Sequence, residues 1–127
     1  MEHPVIAVVD DDESVRTALR RLLRSTQLQV ETFASGASFL EFVQRALPAC
    51  VVLDLHMPGL DGWAVQAELA GTAPNVPVIM ITGDTDASTR NRALARGAVA
   101  LFPKPIDAAM LLAAINAVIT PTSVTRN

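Results

Sequence analysis

Four consecutive acids, Asp10-Asp11-Asp12-Glu13, follow the apolar run Val5-Ile6-Ala7-Val8-Val9. Such crowding is costly: two like charges about 4 Å apart repel by roughly 1 kcal/mol in water and roughly 4 near a protein surface. Another acid, Asp54, also ends an apolar run, Val51-Val52-Leu53. Thr82 closes Val78-Ile79-Met80-Ile81, and Lys104 follows Leu101-Phe102-Pro103. A carboxylate can be the nucleophile that receives a phosphoryl group. That transfer needs mainly positioning and charge neutralisation, which a hydroxyl, an ammonium and a divalent cation supply. These groups act together only if the fold gathers them.

The elements that would carry them alternate along the chain. Val5–Val9, Cys50–Leu53, Val76–Ile81 and Val99–Phe102 are short apolar runs without strict alternation, as expected for strands covered on both faces. Leu28–Phe33 alternates and reads as a more exposed edge strand. Val15, Ala18, Leu19, Leu22 and Leu23 form one apolar helical stripe. Ser35 is placed to cap a second helix carrying Leu40, Val43 and Leu47, and Asp61-Gly62 precedes a third over Trp63–Ala70. Asp86 would cap a fourth that stops at Gly97, and the fifth runs from Asp107 to Ile119. Five strands alternating with five helices predict an α/β, doubly wound (βα)5 fold with a parallel sheet, whose right-handed crossovers leave few topologies.

In such a sheet ligands bind beyond the carboxyl ends of the strands, where strand order reverses. For the order 2-1-3-4-5 that place lies between strands one and three. Asp10, Asp11 and Asp54 then share one rim, with Thr82 and Lys104 along the same edge. Three carboxylates are best stabilised by a hard divalent cation, and Mg²⁺ favours a few carboxylates with waters and phosphate oxygens.

Asp10-Asp11, Asp54, Met57-Pro58-Gly59 with Asp61-Gly62, Thr82-Gly83 and Lys104-Pro105 together resemble the receiver domain of bacterial two-component response regulators. Val8–Asp12, Met57–Gly62 and Lys104-Pro105 are particularly similar to the nitrogen-fixation (FixJ) type. The resemblance covers essentially the whole chain, and implies a receiver over residues 1–120 with 121–127 as tail or linker. It implies that Asp54 accepts phosphate from a histidine kinase. Asp10, Asp11, Asp54 and the His56 backbone carbonyl would hold Mg²⁺. Thr82 would bond the phosphoryl group and move towards it, and Lys104 would pair with another of its oxygens. The Lys104–Pro105 bond is often cis in this family. Phosphorylation would repack the fourth helix, fifth strand and fifth helix, a face that could then form a homodimer or contact an output element. The resemblance implies no enzyme acting on an outside substrate, only slow self-dephosphorylation. FixJ-type regulators usually carry a helix-turn-helix DNA-binding domain after the receiver, so this chain is either a stand-alone receiver or part of such a protein.

One position departs from the family pattern. Leu101 stands where Tyr, Phe or His is usual, and Phe102 should face the other side of its strand. That leaves the phosphorylation chemistry intact and puts the aromatic part of the output switch in doubt.

Other residues have ordinary readings beside the functional ones. Asp12 and Glu13 suit the start of the first helix, where acids favour the helix dipole. His56 and Asp84 either flank the site and tune phosphoryl lifetime or are simply exposed. Trp63 is expected to pack beside its loop, and Cys50 to be a small core residue. Arg16, Arg20 and Arg24 make a stripe that is a solvated face or a docking contact for the phosphodonor. Arg92 and Arg96 on the fourth helix carry two readings as well, a solvated face or part of the output face.

Two rival functions fit part of the pattern. Asp10-x-Asp12 after a strand also suits a haloacid dehalogenase-like phosphatase, but no acidic pair follows the last strand to complete its metal site. A degenerate receiver acting only as a protein-binding module fits Leu101 but not the intact acids, threonine and lysine. Half of the 127 residues are apolar and 18% charged, which excludes a disordered chain. The net charge of −3 gives no general attraction to nucleic acid, so no direct nucleic-acid binding is expected. No apolar run reaches the ~20 residues of a membrane span. With one cysteine and no signal-peptide profile in Met1-Glu2-His3-Pro4, a cytoplasmic location is expected.

Overall fold

In a computed structural model the described residues, 4–84 and 86–119, form five strands and five helices in strict alternation. They are β1 (Val5–Val9), α1 (Glu13–Arg24), β2 (Gln29–Phe33), α2 (Gly36–Val43), β3 (Cys50–Asp54), α3 (Gly62–Thr72), β4 (Val78–Thr82), α4 (Ala87–Ala95), β5 (Ala100–Pro103) and α5 (Ala108–Ile119). The expected tail, 121–127, lies outside the described residues. All strand pairs are parallel, and the sheet order is β2-β1-β3-β4-β5.

Strand periodicity explains the layers, because successive side chains leave opposite faces. Ala7, Val9, Val51, Leu53, Met80 and Leu101 pack under α2, α3 and α4, against Phe39, Val65, Leu69 and Ala93. Ile6, Val8, Cys50, Val52, Ile79 and Ile81 pack under α1 and α5, against Leu19, Leu23, Leu111 and Ile115. Both faces of the three central strands are therefore apolar, which removes the alternation seen in half-exposed strands. Cys50 is one of these buried residues, and burial pushes its thiol up to about 12. It is packing material.

Helix starts follow the acids and hydroxyls expected of them. Asp12 caps α1 by accepting from the Ser14 amide, Ser35 caps α2, Asp61 caps α3 and Asp86 caps α4. Gly97, at φ +104°, follows α4 in the left-handed region that glycine tolerates. The expected second helix is too long at its C-terminus: α2 ends at Val43, and Leu47 lies beyond it, 65% exposed. Gln44 to Ala46 turn back on Glu41 and Phe42 instead of continuing the ladder, so apolar spacing alone overran the helix.

Gly62 lies hard against the backbone at the end of β3. A Cβ there would lie 2.6 Å from the Asp54 carbonyl oxygen and 2.7 Å from the Leu55 Cα. Both contacts are backbone, so a side chain can be admitted only by moving the end of β3. Gly62→Ala should lower stability by about 1–3 kcal/mol, the usual cost of overpacking. Urea unfolding of the two proteins side by side measures this, and an unchanged midpoint would mean that β3 yields freely.

Candidate functional site

Parallel pairing brings the carboxyl ends of β1, β3, β4 and β5 to one edge. Asp10 follows β1, and its amide donates to the Phe33 carbonyl at 3.1 Å, continuing the ladder one residue past the strand. Its Oδ1 accepts from the Asp12 amide at 2.9 Å. Arg16, one turn into α1, donates from Nη1 to the Asp10 carbonyl at 2.8 Å. The first acid of the run is thus fixed by β2, by its own turn and by α1.

Asp54 ends β3 beside it, and Leu55 continues the pairing with β4 by donating to the Ile81 carbonyl. Asp10 is fully buried and Asp54 is 2% exposed, whereas Asp11 is exposed. Carboxylate oxygens of Asp10, Asp11 and Asp54 all lie within 4.8 Å of one another. Lys104 reaches over the same edge, its Nζ 2.9 Å from Asp10 Oδ2 and 3.3 Å from Asp54 Oδ1. The Lys104 amide donates to the Thr82 carbonyl at 2.8 Å, so β4 and β5 hold the threonine and the lysine in register. The Lys104–Pro105 peptide is cis.

Charge governs this site. Burial, with the Asp10 carboxylate as second cause, pushes the Asp54 carboxyl up to about 6, while Lys104 and the His56 backbone amide pull it part of the way back. Desolvation alone would lower the Lys104 ammonium. Contact with Asp10 and Asp54 outweighs it, and its pKa is raised. One ammonium against three carboxylates leaves the cluster negative. Asp10 Oδ2 meets Lys104 as an ion pair without a well-formed hydrogen bond, so that buried oxygen keeps unused acceptor capacity. A set of oxygen donors with residual negative charge fits a hard divalent cation.

Thr82 is 1% exposed at the end of β4. Its Oγ1 accepts from the Asp84 amide at 3.0 Å. Asp84 then accepts from the Asp86 amide through Oδ1 and from the Thr89 hydroxyl through Oδ2. Those bonds, the Asp86 amide first, hold the Asp84 carboxyl below its ordinary value, with a smaller contribution from His56. The His56 side chain is exposed.

Every residue expected at the rim is there: Asp10, Asp11, Asp54, Thr82 and Lys104, with His56 in the loop after β3. Asp12 is not. Its Oδ1 takes both the Ser14 amide at 2.9 Å and the Ser14 hydroxyl at 2.7 Å, so it serves α1 and leaves the Asp10-x-Asp12 phosphatase reading without its second acid. Two arginines of the supposed surface stripe are tied inward. Arg16 holds Asp10, and Arg20 donates to the Thr32 hydroxyl at 2.7 Å. Arg92 and Arg96 stack on Trp63, 4.0 and 5.5 Å from the ring centroid. The sequence shows their spacing and not these partners, which lie on other elements.

The model of the response regulator receiver domain matches residues 6–116. The chain belongs to the response regulator receiver domain family. The receiver is 41% identical over 113 residues to response regulator protein TodT of Pseudomonas putida, covering 89% of this chain and 50% of that protein. It is 39% identical over 111 residues to nodulation protein W of Bradyrhizobium diazoefficiens, covering 87% of this chain and 49% of the relative. The chain therefore spans about half the length of these relatives. Among solved structures, the response regulator StyR superposes with a TM-score of 0.85 at 38% identity, covering 98% of this chain and 63% of StyR. The beryllofluoride-activated receiver domain of DrrB gives 0.85 at 28% identity, covering 93% of this chain and 98% of that one. The receiver of Francisella response regulator 1452, at 22% identity, shares the fold with a TM-score of 0.89, covering 94% of this chain and 99% of that chain.

The raised Asp54 value fixes the sign of a pH effect on the metal-free receiver. Folding holds a proton on Asp54 that the unfolded chain, with its value of 3.8, releases earlier. Its contribution to stability is complete below the unfolded value and is lost as pH climbs through about 6. The loss is on the order of 3 kcal/mol. In a metal chelator, Asp54→Asn should therefore raise the melting temperature at about pH 7.5 and have little effect at about pH 4. A native-like melting curve for the variant at both values would refute the electrostatic account.

Proposed function

We propose that this receiver takes a phosphoryl group onto Asp54 from the phosphohistidine of a histidine kinase. The observation that carries this reading is the buried Asp54 carboxylate, held between Asp10, Asp11 and the Lys104 ammonium. An Asp54 oxygen would bond to phosphorus as the phosphorus–nitrogen bond of the donor breaks, and the imidazole would leave. Asp10, Asp11, Asp54 and the His56 carbonyl would hold Mg²⁺, whose role is to neutralise the carboxylates and the phosphoryl oxygens. Lys104 would shift from its carboxylate partners to a phosphoryl oxygen. Thr82 would exchange the Asp84 amide for another.

Phosphorylation adds negative charge where Lys104 already pairs with two acids, so the reading also supplies the output. Thr82 moves, and α4, β5 and α5 repack by a shift of populations. Leu94 on α4, Val99 before β5 and Met110 on α5 are exposed, which suits a face that meets an output element or a second receiver. A cytoplasmic location, a cognate kinase and an output domain joined to residues 1–120 complete the proposal. Among the described residues no helix is long and apolar enough to cross a membrane.

Intact mass after incubation with acetyl phosphate and Mg²⁺ tests the central step. One labile phosphoryl adduct is expected, and none on Asp54→Ala. An unmodified native protein that nonetheless binds Mg²⁺ would favour the binding-module reading. Mg²⁺ should also raise the melting temperature, since metal at about 100 times its Kd contributes about 2.7 kcal/mol to the folded state.

His56 and Asp84 flank the proposed phosphoryl position from two loops. Replacing either should change the decay rate of the adduct, followed by mass, while the native yield of adduct is kept. Identical decay in both variants would assign these side chains to the surface alone.

A further inference from the structure

Helix α4 is held to the domain in an unusual way. Ala93 is its one buried residue. A fully buried leucine or valine would contribute roughly 1.5–3 kcal/mol, and α4 has none. Polar contacts hold it instead. Gln66 of α3 donates from Nε2 to the Ala93 carbonyl at 3.4 Å, and Arg92 and Arg96 stack on Trp63. At the other end, Arg90 donates from Nη1 to the Leu101 carbonyl of β5 at 3.2 Å.

Arg90 sits beside a cavity of about 150 Å³ between α4 and the ends of β4 and β5. Its walls are Thr82, Asp84, Asp86, Arg90, Leu101 and Pro103. Leu101 cannot reorganise cheaply, because its side chain is 5% exposed within the core under α4. Phe102 packs with the opposite core. Of these cavity-lining side chains, Arg90 alone crosses from α4 to β5 with a hydrogen bond.

We infer that Arg90 is a latch that holds this receiver in its resting state, an inference that rests on the phosphoryl-acceptor reading above. A continuous set of bonds leads from the site to the latch. Thr82 Oγ1 accepts from the Asp84 amide, Asp84 accepts from Thr89, and Arg90 is the next residue. Asp84 also fixes Asp86, the cap of α4. When Thr82 turns towards a phosphoryl group on Asp54, it leaves the Asp84 amide, and the loop that carries the cap must adjust. The Arg90 bond ties the first turns of α4 to β5 and opposes that adjustment. A contact present only in the resting arrangement lowers the affinity of whatever favours the other one.

Removing the latch should therefore strengthen binding of a phosphoryl mimic. Beryllofluoride titrated calorimetrically into the Mg²⁺-loaded protein should bind Arg90→Ala roughly three- to tenfold more tightly than the native protein, the range a single hydrogen bond supports. Arg90→Lys should fall between, because an ammonium keeps the charge but not the planar reach. Mg²⁺ affinity without beryllofluoride should stay the same. Hydrogen exchange supplies a readout independent of Asp54: amides of Ala87–Ala95 should exchange faster in the resting Arg90→Ala protein. Equal or weaker beryllofluoride binding by the variant, or unaltered exchange in α4, overturns the latch. Native protein that binds no beryllofluoride while Arg90→Ala speeds exchange in α4 would instead overturn the phosphoryl-acceptor reading, and with it the latch's regulatory meaning.

Discussion

Three carboxylates at the mouth of one parallel sheet repel each other, and two of them are buried. A single ammonium, Lys104, offsets part of that repulsion by meeting Asp10 and Asp54 together. Much of the surrounding structure serves to keep this arrangement in place. Asp10 is pinned by Phe33, Asp12 and Arg16, and the register of β4 with β5 delivers Lys104 next to Thr82. Gly62 allows α3 to begin against the Asp54 carbonyl, where no side chain fits. The domain therefore keeps folded a site with unrelieved negative charge, which suits a divalent cation and the proposed phosphoryl group.

The same edge explains why signal and stability can be coupled. The core is built from β1, β3 and β4 with α1, α2, α3 and α5, all of which bury large side chains or whole strands. Helix α4 is different, because it buries one alanine and depends on hydrogen bonds and stacking. Elements of low apolar anchorage open or shift at small cost, whereas packed ones do not. Such a helix, directly after the Thr82 loop, suits the proposed switch, in which charge at Asp54 would act outward and leave the core intact.

Much of this was legible in the residues. Apolar runs ending in Asp10, Asp54, Thr82 and Lys104 marked both the strands and the rim. A parallel sheet covered on both faces needs continuous apolar strands, and it sets the residues just past their carboxyl ends along one edge. Caps at Ser35 and Asp86 were also visible, and Asp12 and Asp61 were placed at helix starts without being named as caps, since capping is a local hydrogen bond within three residues. Helix α2 was overrun to Leu47, because its end is set by a turn and no glycine or proline marks it before Pro48.

Contacts between distant elements were not legible there. Arg16 beneath Asp10, Arg20 on Thr32 and Trp63 under two arginines read in the sequence as a charged stripe and a lone aromatic, and nothing in the sequence marked Arg90 for its bond to β5. Their spacing on a helix defines a face but not what that face meets. Local chemistry, in short-range patterns of apolar runs, caps and acids, determined the fold class and the members of the site. Tertiary structure alone decided the charge balance at Asp54 and the partners of the arginines, because burial and Coulomb interactions depend on through-space distances that chain spacing does not encode.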